Sequence, residues 1–89
     1  MVKYPARRSA VASAVKEARE YRGISQRKLS ERLMEPPTYM HMIESRQQSL
    51  PMEEFIEIML SLDLDPCEVL KQILQATPQT PRRRKKSAG

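Results

Sequence analysis

Apolar residues recur along this chain at the spacing of helices rather than of strands. They fall three and four residues apart in five short segments, and no segment alternates apolar and polar residues over the length of a strand. The 89 residues include only 2 Gly and no Trp. The pattern therefore predicts an all-α domain of five helices around one modest core.

Capping residues place the first and the last two of these helices. Ser9 can cap a first helix that runs to about Arg22, and Gly23 ends it. Pro51 suits the first turn of a fourth helix, and Asp65 caps a fifth that runs to about residue 75. The apolar positions expected to face the core in the first and fourth helices are Val11, Ala14, Val15, Ala18, Phe55, Ile58, Met59 and Leu62. The fifth helix carries Val69, Leu70, Ile73 and Leu74, which is more apolar surface than its inward face needs.

A pair of prolines separates the two central helices. Ser25 is a good N-cap for the first of them, and Pro36 with Pro37 interrupts helical geometry before a new helix over residues 37–45. The inward positions of that new helix are Met40 and Ile43. Two helices joined by a turn of a few residues form the outline of a helix-turn-helix.

Charge divides the chain into unlike parts. Residues 1–50 hold 10 Lys/Arg against 5 Glu, residues 51–81 hold one Lys against 6 Asp/Glu, and residues 82–86 are all Lys or Arg. A basic half followed by an acidic one is expected if one face meets phosphate, although solvated charge is the alternative. We expect a loose basic lead-in at residues 1–8, a domain at 9–76 and a disordered basic tail at 77–89.

Composition argues against several classes of protein. A single Cys and a single His exclude an internal disulfide, make a zinc site very improbable and provide no acid-base pair or activated nucleophile. No apolar run has the length of a signal peptide or a membrane span. We expect a cytoplasmic, nucleoid-associated protein that is not an enzyme and has no metal or cofactor.

Several stretches with fixed spacing point to one family. They are R-x-x-x-G-I-S-Q (residues 19–26), L-S-E-R-L (29–33), P-P-T-Y-M-H-M-I-E (36–44), L-P-M-E-E-F-I-E-I (50–58) and L-D-L-D-P (62–66). Together they cover roughly residues 11–74 and resemble the Cro/CI-type, or XRE-type, helix-turn-helix transcriptional regulators of bacteria and phages. The resemblance implies a five-helix lambda-repressor-like DNA-binding domain.

The resemblance also implies contacts to DNA phosphates at the start of the second helix. Gln26 is the main candidate, because an amide side chain at a helix N-terminus suits an anion, and the alternative is a plain first-turn residue. The supporting candidates are Arg27, Lys28 and Arg46. Solvated cations are the alternative for Arg27 and Lys28.

The recognition helix of the family maps to residues 37–45. Its candidates for base reading are Pro37, Thr38, Tyr39, His41, Met42 and Ser45. Thr38 can offer a methyl group to thymine, and His41 can donate to guanine. For Met42 the alternative is partial burial or a protein contact, and for Tyr39 it is packing against Ile43. This face has no Arg, Asn or Gln to make a bidentate contact with a base. Discrimination among DNA sequences is therefore weak, or it comes from Arg46, Gln47 and Gln48.

Two further expectations concern architecture. The resemblance implies a largely buried ion pair between Arg19 and Glu44 that ties the first helix to the third. Relatives usually carry a helix-ending glycine where this chain has Met34, Arg46 and Asp63. Met and Arg adopt left-handed geometry at a cost on the order of 1 kcal/mol each. These helix ends therefore either differ in detail or leave the domain less stable.

The leading hypothesis is a transcriptional regulator that binds double-stranded DNA as a homodimer, with repression as the favoured mode of regulation. The apolar residues left for its dimer interface are Leu70, Ile73 and Leu74, which could instead complete the core. The alternative is a protein-interaction module or antitoxin with the same fold and weak or no specific DNA reading. Its partner would bind a methionine surface formed by Met34, Met40 and Met42.

Overall fold

The computed structural model of this chain describes residues 3–77, which contain five α-helices. The helices are α1 (Pro5–Tyr21), α2 (Gln26–Arg32), α3 (Tyr39–Glu44), α4 (Met52–Ser61) and α5 (Pro66–Ala76). α1 packs against α3, α4 and α5, while α2 packs on α3 and α4 on α5. Residues 3–77 contain no β-strand, so the all-α, five-helix prediction is confirmed. None of these helices is both long enough and apolar enough to span a bilayer.

One core receives side chains from all five helices. Its fully buried members, with no more than about a fiftieth of the side chain exposed, are Val15, Leu29, Met40, Ile43, Ile58, Met59 and Leu62. Phe55, Val69 and Ile73 are also buried. The removal of this apolar surface from water is the main favourable term that holds the short helices together.

The first helix begins earlier than predicted. Pro5 occupies its first turn, where the fixed φ suits a helix and the missing N–H would have had no partner. The N–H of Arg8 donates to the Tyr4 carbonyl at 2.9 Å, and Ser9 lies inside the helix rather than capping it. The predicted loose lead-in at 1–8 is therefore wrong for residues 5–8. Residues 1–2 lie outside the described part.

The predicted boundary before the basic tail also needs correction. Thr77 is buried, its hydroxyl donates to the Ile73 carbonyl at 3.1 Å, and the Nε of Arg7 donates to that hydroxyl at 3.1 Å. Thr77 therefore belongs to the domain, because it closes α5 and binds α1. The remainder of the predicted tail, residues 78–89, lies outside the described residues.

Helices α1 to α4 all end in the same cap. The residue after each C-cap has a positive φ, and the four are Gly23 (68°), Met34 (60°), Arg46 (65°) and Asp63 (59°). In each case the N–H of this residue donates to the carbonyl three residues back, and the next N–H donates to the carbonyl five back. This is the Schellman arrangement. The helix ends at Met34, Arg46 and Asp63 therefore have the same left-handed geometry as the end at Gly23, and the lower stability expected from Met34 and Arg46 stays a prediction.

Replacing Met34 by Gly should stabilise the fold. The Met34 side chain is 92% exposed and loses little packing, while the strain of its left-handed backbone is removed. Glycine has more conformational entropy to lose on folding, and this cost offsets part of the gain from relieved strain. We therefore expect the free energy of unfolding to rise by about 0.5–1 kcal/mol. Urea denaturation measures the change.

Asp63→Gly is the matched control, because Asp tolerates left-handed geometry better than Met does. It should give a smaller gain than Met34→Gly. A Met34→Gly variant that is no more stable than the wild type would show that the cap carries no strain.

Candidate nucleic-acid interface

The helix-turn-helix consists of α2, the turn after it, and α3. The Oγ of Ser25 accepts a hydrogen bond from the Lys28 N–H at 3.0 Å, which confirms its predicted role as N-cap. α3 is shorter than the predicted 37–45, because the Tyr39 N–H first closes a turn onto the Pro36 carbonyl at 2.9 Å. Pro37 therefore lies in the turn, and Thr38 and Ser45 flank the helix.

Ser30 links the two helices through its hydroxyl group. Its hydroxyl donates to the Gln26 carbonyl at 2.8 Å within α2 and accepts from the Met40 N–H at 3.1 Å. That N–H belongs to the first turn of α3, where no helical carbonyl is available, and the Thr38 side chain does not cap it. α2 thus supplies the cap of α3 through a fully buried side chain.

Replacing Ser30 by Ala should destabilise the domain by about 1–3 kcal/mol, because the buried Met40 N–H loses its only acceptor. The measurement is urea unfolding of the variant beside Ser13→Ala, which removes the hydroxyl of an exposed serine in α1. The Ser13 variant should unfold like the wild type. Equal stability of the two variants would contradict the role assigned to Ser30.

The predicted ion pair beneath α3 is confirmed. The Nε of Arg19 donates to Glu44 Oε2 at 2.7 Å and its NH2 group to Oε1 at 3.0 Å, and only 10% and 4% of the two side chains are exposed. The hydrogen-bonded Glu44 carboxylate raises the pKa of Arg19 above its usual value, although burial acts in the opposite direction. The pair is charged and bidentate, and it holds α3 to α1.

The same ion pair also forms hydrogen bonds with residues at the start of α2. Glu44 Oε1 also accepts from the Gln26 amide at 2.9 Å, and Arg19 NH1 donates to the Ile24 carbonyl at 2.8 Å. One buried carboxylate therefore joins α1, α2 and α3. Part of the Gln26 side chain serves this network, which the sequence did not reveal, and its phosphate contact stays a prediction.

The outer side of α3 is a polar stripe with one thioether. Thr38 and His41 are exposed, and Met42 and Ser45 are half-buried. Their spacing of three and four residues puts them on one side of the helix, opposite the buried Met40. The Ser45 hydroxyl accepts from the Gln47 amide at 2.9 Å and lies 3.4 Å from the Met42 carbonyl. We name Thr38, His41, Met42 and Ser45 the outer stripe.

Tyr39 does not belong to this stripe. Its side chain is 7% exposed, and its hydroxyl donates to the Glu54 carboxylate on α4. Burial, reinforced by that carboxylate, raises the pKa of Tyr39 well above its ordinary value, so the phenol stays protonated. The prediction of base reading by Tyr39 is wrong. The alternative, packing on the side of Ile43, agrees with its burial.

Comparison with known proteins identifies the fold. A scan of the sequence matches no known protein family, and no curated protein matches it. The structure is similar to that of an XRE-family like protein from Pseudomonas syringae pv. tomato str. DC3000. The TM-score is 0.76 at 29% sequence identity, over 84% of this chain and 92% of that chain. The fold is XRE-like.

Several cations of the XRE-like fold are engaged within the protein. The Nε and NH2 groups of Arg22 donate to the carbonyls of Leu62 and Asp63 at 2.8 and 2.9 Å, and Arg32 donates to that of Ser61 at 3.2 Å. They bind the C-terminal end of α4, where the helix dipole favours positive charge. The sequence did not reveal this role.

The predicted phosphate-binding cations differ in their surroundings. Arg27 lies 3.6 Å from Glu31 in an exposed pair, which offsets part of its charge. Lys28 and Arg46 are exposed, and within residues 3–77 neither forms an ion pair. Their contacts with phosphate stay a prediction.

The burial of individual side chains corrects two predicted protein-binding surfaces, the dimer interface on α5 and the methionine surface. Ile73 is 4% exposed and belongs to the core, while Leu70 and Leu74 are 37% and 40% exposed. The predicted dimer interface is therefore wrong for Ile73. Met40 is fully buried as well, so the predicted methionine surface is reduced to the exposed Met34 and the half-buried Met42.

Proposed function

We propose that the protein is a DNA-binding regulator of transcription, a repressor in the first instance, that inserts the outer stripe of α3 into the major groove. The observation that carries this proposal is an outward-facing stripe, exposed at Thr38 and His41, on a helix whose other side is anchored in an XRE-like fold. An α-helix fits the major groove, where each base pair presents a distinct pattern of donors and acceptors.

Anchoring of α3 supports a reading role. Met40 and Ile43 are buried, Tyr39 bonds to α4, and Glu44 bonds to α1 and α2. These contacts oppose rotation of the helix and keep Thr38 and His41 on its exposed side. A rigid supporting shell is what recognition by a few side chains requires.

The side chains of the stripe suit particular bases. The Thr38 methyl can pack on a thymine methyl, and its hydroxyl makes no cap bond within the protein. His41 is exposed and can donate to the guanine acceptors. Lys28 and Arg46 flank the stripe and supply phosphate contacts, which set position and affinity but not sequence.

We further propose that the protein binds as a homodimer through Leu70 and Leu74. These residues lie four apart on α5 and leave an apolar strip in contact with water. A dimer would read two half-sites about 34–36 Å apart, or one turn of DNA. Sedimentation of the wild type beside a Leu70→Asp/Leu74→Asp variant tests this part.

Selection of bound sequences from a random duplex pool tests the main proposal. We expect a short recurrent sequence, bound more tightly than a scrambled duplex of equal length. Affinity for both should fall with salt, with a slope of about −0.9 for each phosphate contact. A pool that yields no recurrent sequence would reject specific reading and favour the protein-interaction alternative.

A further inference from the structure

The N-terminal end of α1 lies beside the C-terminal end of α3. Arg8 NH2 donates to the Arg46 carbonyl at 3.3 Å, although the two residues are 38 apart in sequence. A hollow between the two regions is lined by Lys3, Tyr4 and Arg8 from one side and Ser49 and Leu50 from the other. Residues 3–8 therefore flank the loop that follows α3.

This juxtaposition concentrates positive charge. We name Lys3, Arg8 and Arg46 the cationic end. Within residues 3–77, Lys3, Arg8 and Arg46 make no ion pair with a carboxylate. Like charges gathered without counter-charge repel one another, and they attract a polyanion strongly.

The environment of Arg8 adds a second observation. Its Nε is buried and finds no hydrogen-bond acceptor in the described part of the chain. An unpaired buried donor of a charged group is unfavourable and calls for an explanation. The fork of a guanidinium matches a phosphate, and a modest shift of this half-exposed side chain would let an acceptor reach it.

We propose that the cationic end is a second phosphate-binding surface, which contacts the DNA backbone next to the groove entered by α3. The proposal rests on the proposed function and deepens it, because it extends the footprint from the helix-turn-helix to α1. Arg46 follows the C-cap of α3 directly, so a backbone that passes the end of that helix meets Arg46 first and then Arg8 and Lys3. The exposed Tyr4 can donate its hydroxyl to the same backbone.

Salt titration of binding to a random-sequence duplex tests this surface. The variants are Lys3→Gln and the double variant Lys3→Gln/Arg8→Gln. The slope of log affinity against log salt should become shallower by about 0.9 for the single variant and about 1.8 for the double. Affinities for a selected and a scrambled duplex should fall by equal factors.

Lys16→Gln is the matched control. It removes one positive charge from an exposed lysine of α1, about 12 Å further along that helix than Arg8, and should leave the slope unchanged. Arg8→Lys keeps the charge and should keep most of the slope. Urea unfolding verifies that the variants are folded, and Lys3→Gln alters an exposed side chain outside every helix.

The outcomes separate the two proposals. A Lys3→Gln/Arg8→Gln variant with the slope and affinity of Lys16→Gln would overturn the cationic end and leave reading by α3 intact. A shallower slope in a protein that selects no sequence would support the cationic end and overturn sequence-specific regulation. Wild-type protein that binds no duplex would overturn both.

Discussion

Replacing Glu44 by Gln is expected to lower the free energy of unfolding by about 3–5 kcal/mol, the typical cost of breaking a buried ion pair. The guanidinium of Arg19, 10% exposed, would keep only the exposed Glu20 carboxylate at 3.8 Å to balance it. Gln26 would lose a charged acceptor as well. Because small domains are stable by only about 5–15 kcal/mol, much of the population could unfold at physiological temperature. Urea denaturation at neutral pH gives the value.

Glu31→Gln is the control for this change. It removes a carboxylate from an exposed pair with Arg27, where about 0–1 kcal/mol is expected. A double variant that replaces Arg19 by Met and Glu44 by Leu should recover part of the loss, since no charge is then left buried alone. A Glu44→Gln variant as stable as Glu31→Gln would show that the pair does not hold α3 in place.

The second large effect concerns sequence preference. Thr38→Ala and His41→Ala should each reduce the preference for the selected duplex over a scrambled one by about fivefold or more, or ~1–3 kcal/mol. Both side chains are exposed, so stability should change by less than about 0.5 kcal/mol. Competition binding with the two duplexes measures the preference directly.

Lys28→Gln is the companion variant for that experiment. It removes an exposed cation from the start of α2 and should weaken binding to both duplexes by the same factor. The preference should therefore survive in Lys28→Gln and fall in the other two. If Thr38→Ala and His41→Ala behaved like Lys28→Gln, the outer stripe would contact the backbone rather than the bases.

Most of the fold could be predicted because its determinants are local. Gly23 marks the end of the first helix and Ser25 the start of the second. Apolar residues spaced three and four apart mark the side of each helix that faces the core. The helix start at Pro5 was missed because a serine N-cap at Ser9 is an equally good local signal. What decides between them is packing of the earlier turn, through Arg7 and Thr77, which only the folded chain supplies.

The site was predicted less completely for the same reason. Ser30 sits within L-S-E-R-L as an ordinary polar residue, and its role depends on the distance of its hydroxyl from the Met40 N–H. Arg22 marks only the approximate end of the first helix in the sequence, yet its side chain binds the end of α4 forty residues away. The spacing places Tyr39 only at the edge of the groove-facing side, and the Glu54 carboxylate that accepts its hydroxyl proton in a hydrogen bond lies on another helix. Contacts of this kind are set by tertiary structure rather than by spacing.

Amide chemical shifts recorded while a selected duplex is added test the central claim most directly. We predict the largest changes at Thr38, His41 and Met42, with smaller changes at the start of α2 and near Arg46. Changes confined to α4 and α5, with those of the outer stripe unaffected, would contradict the reading of DNA by α3.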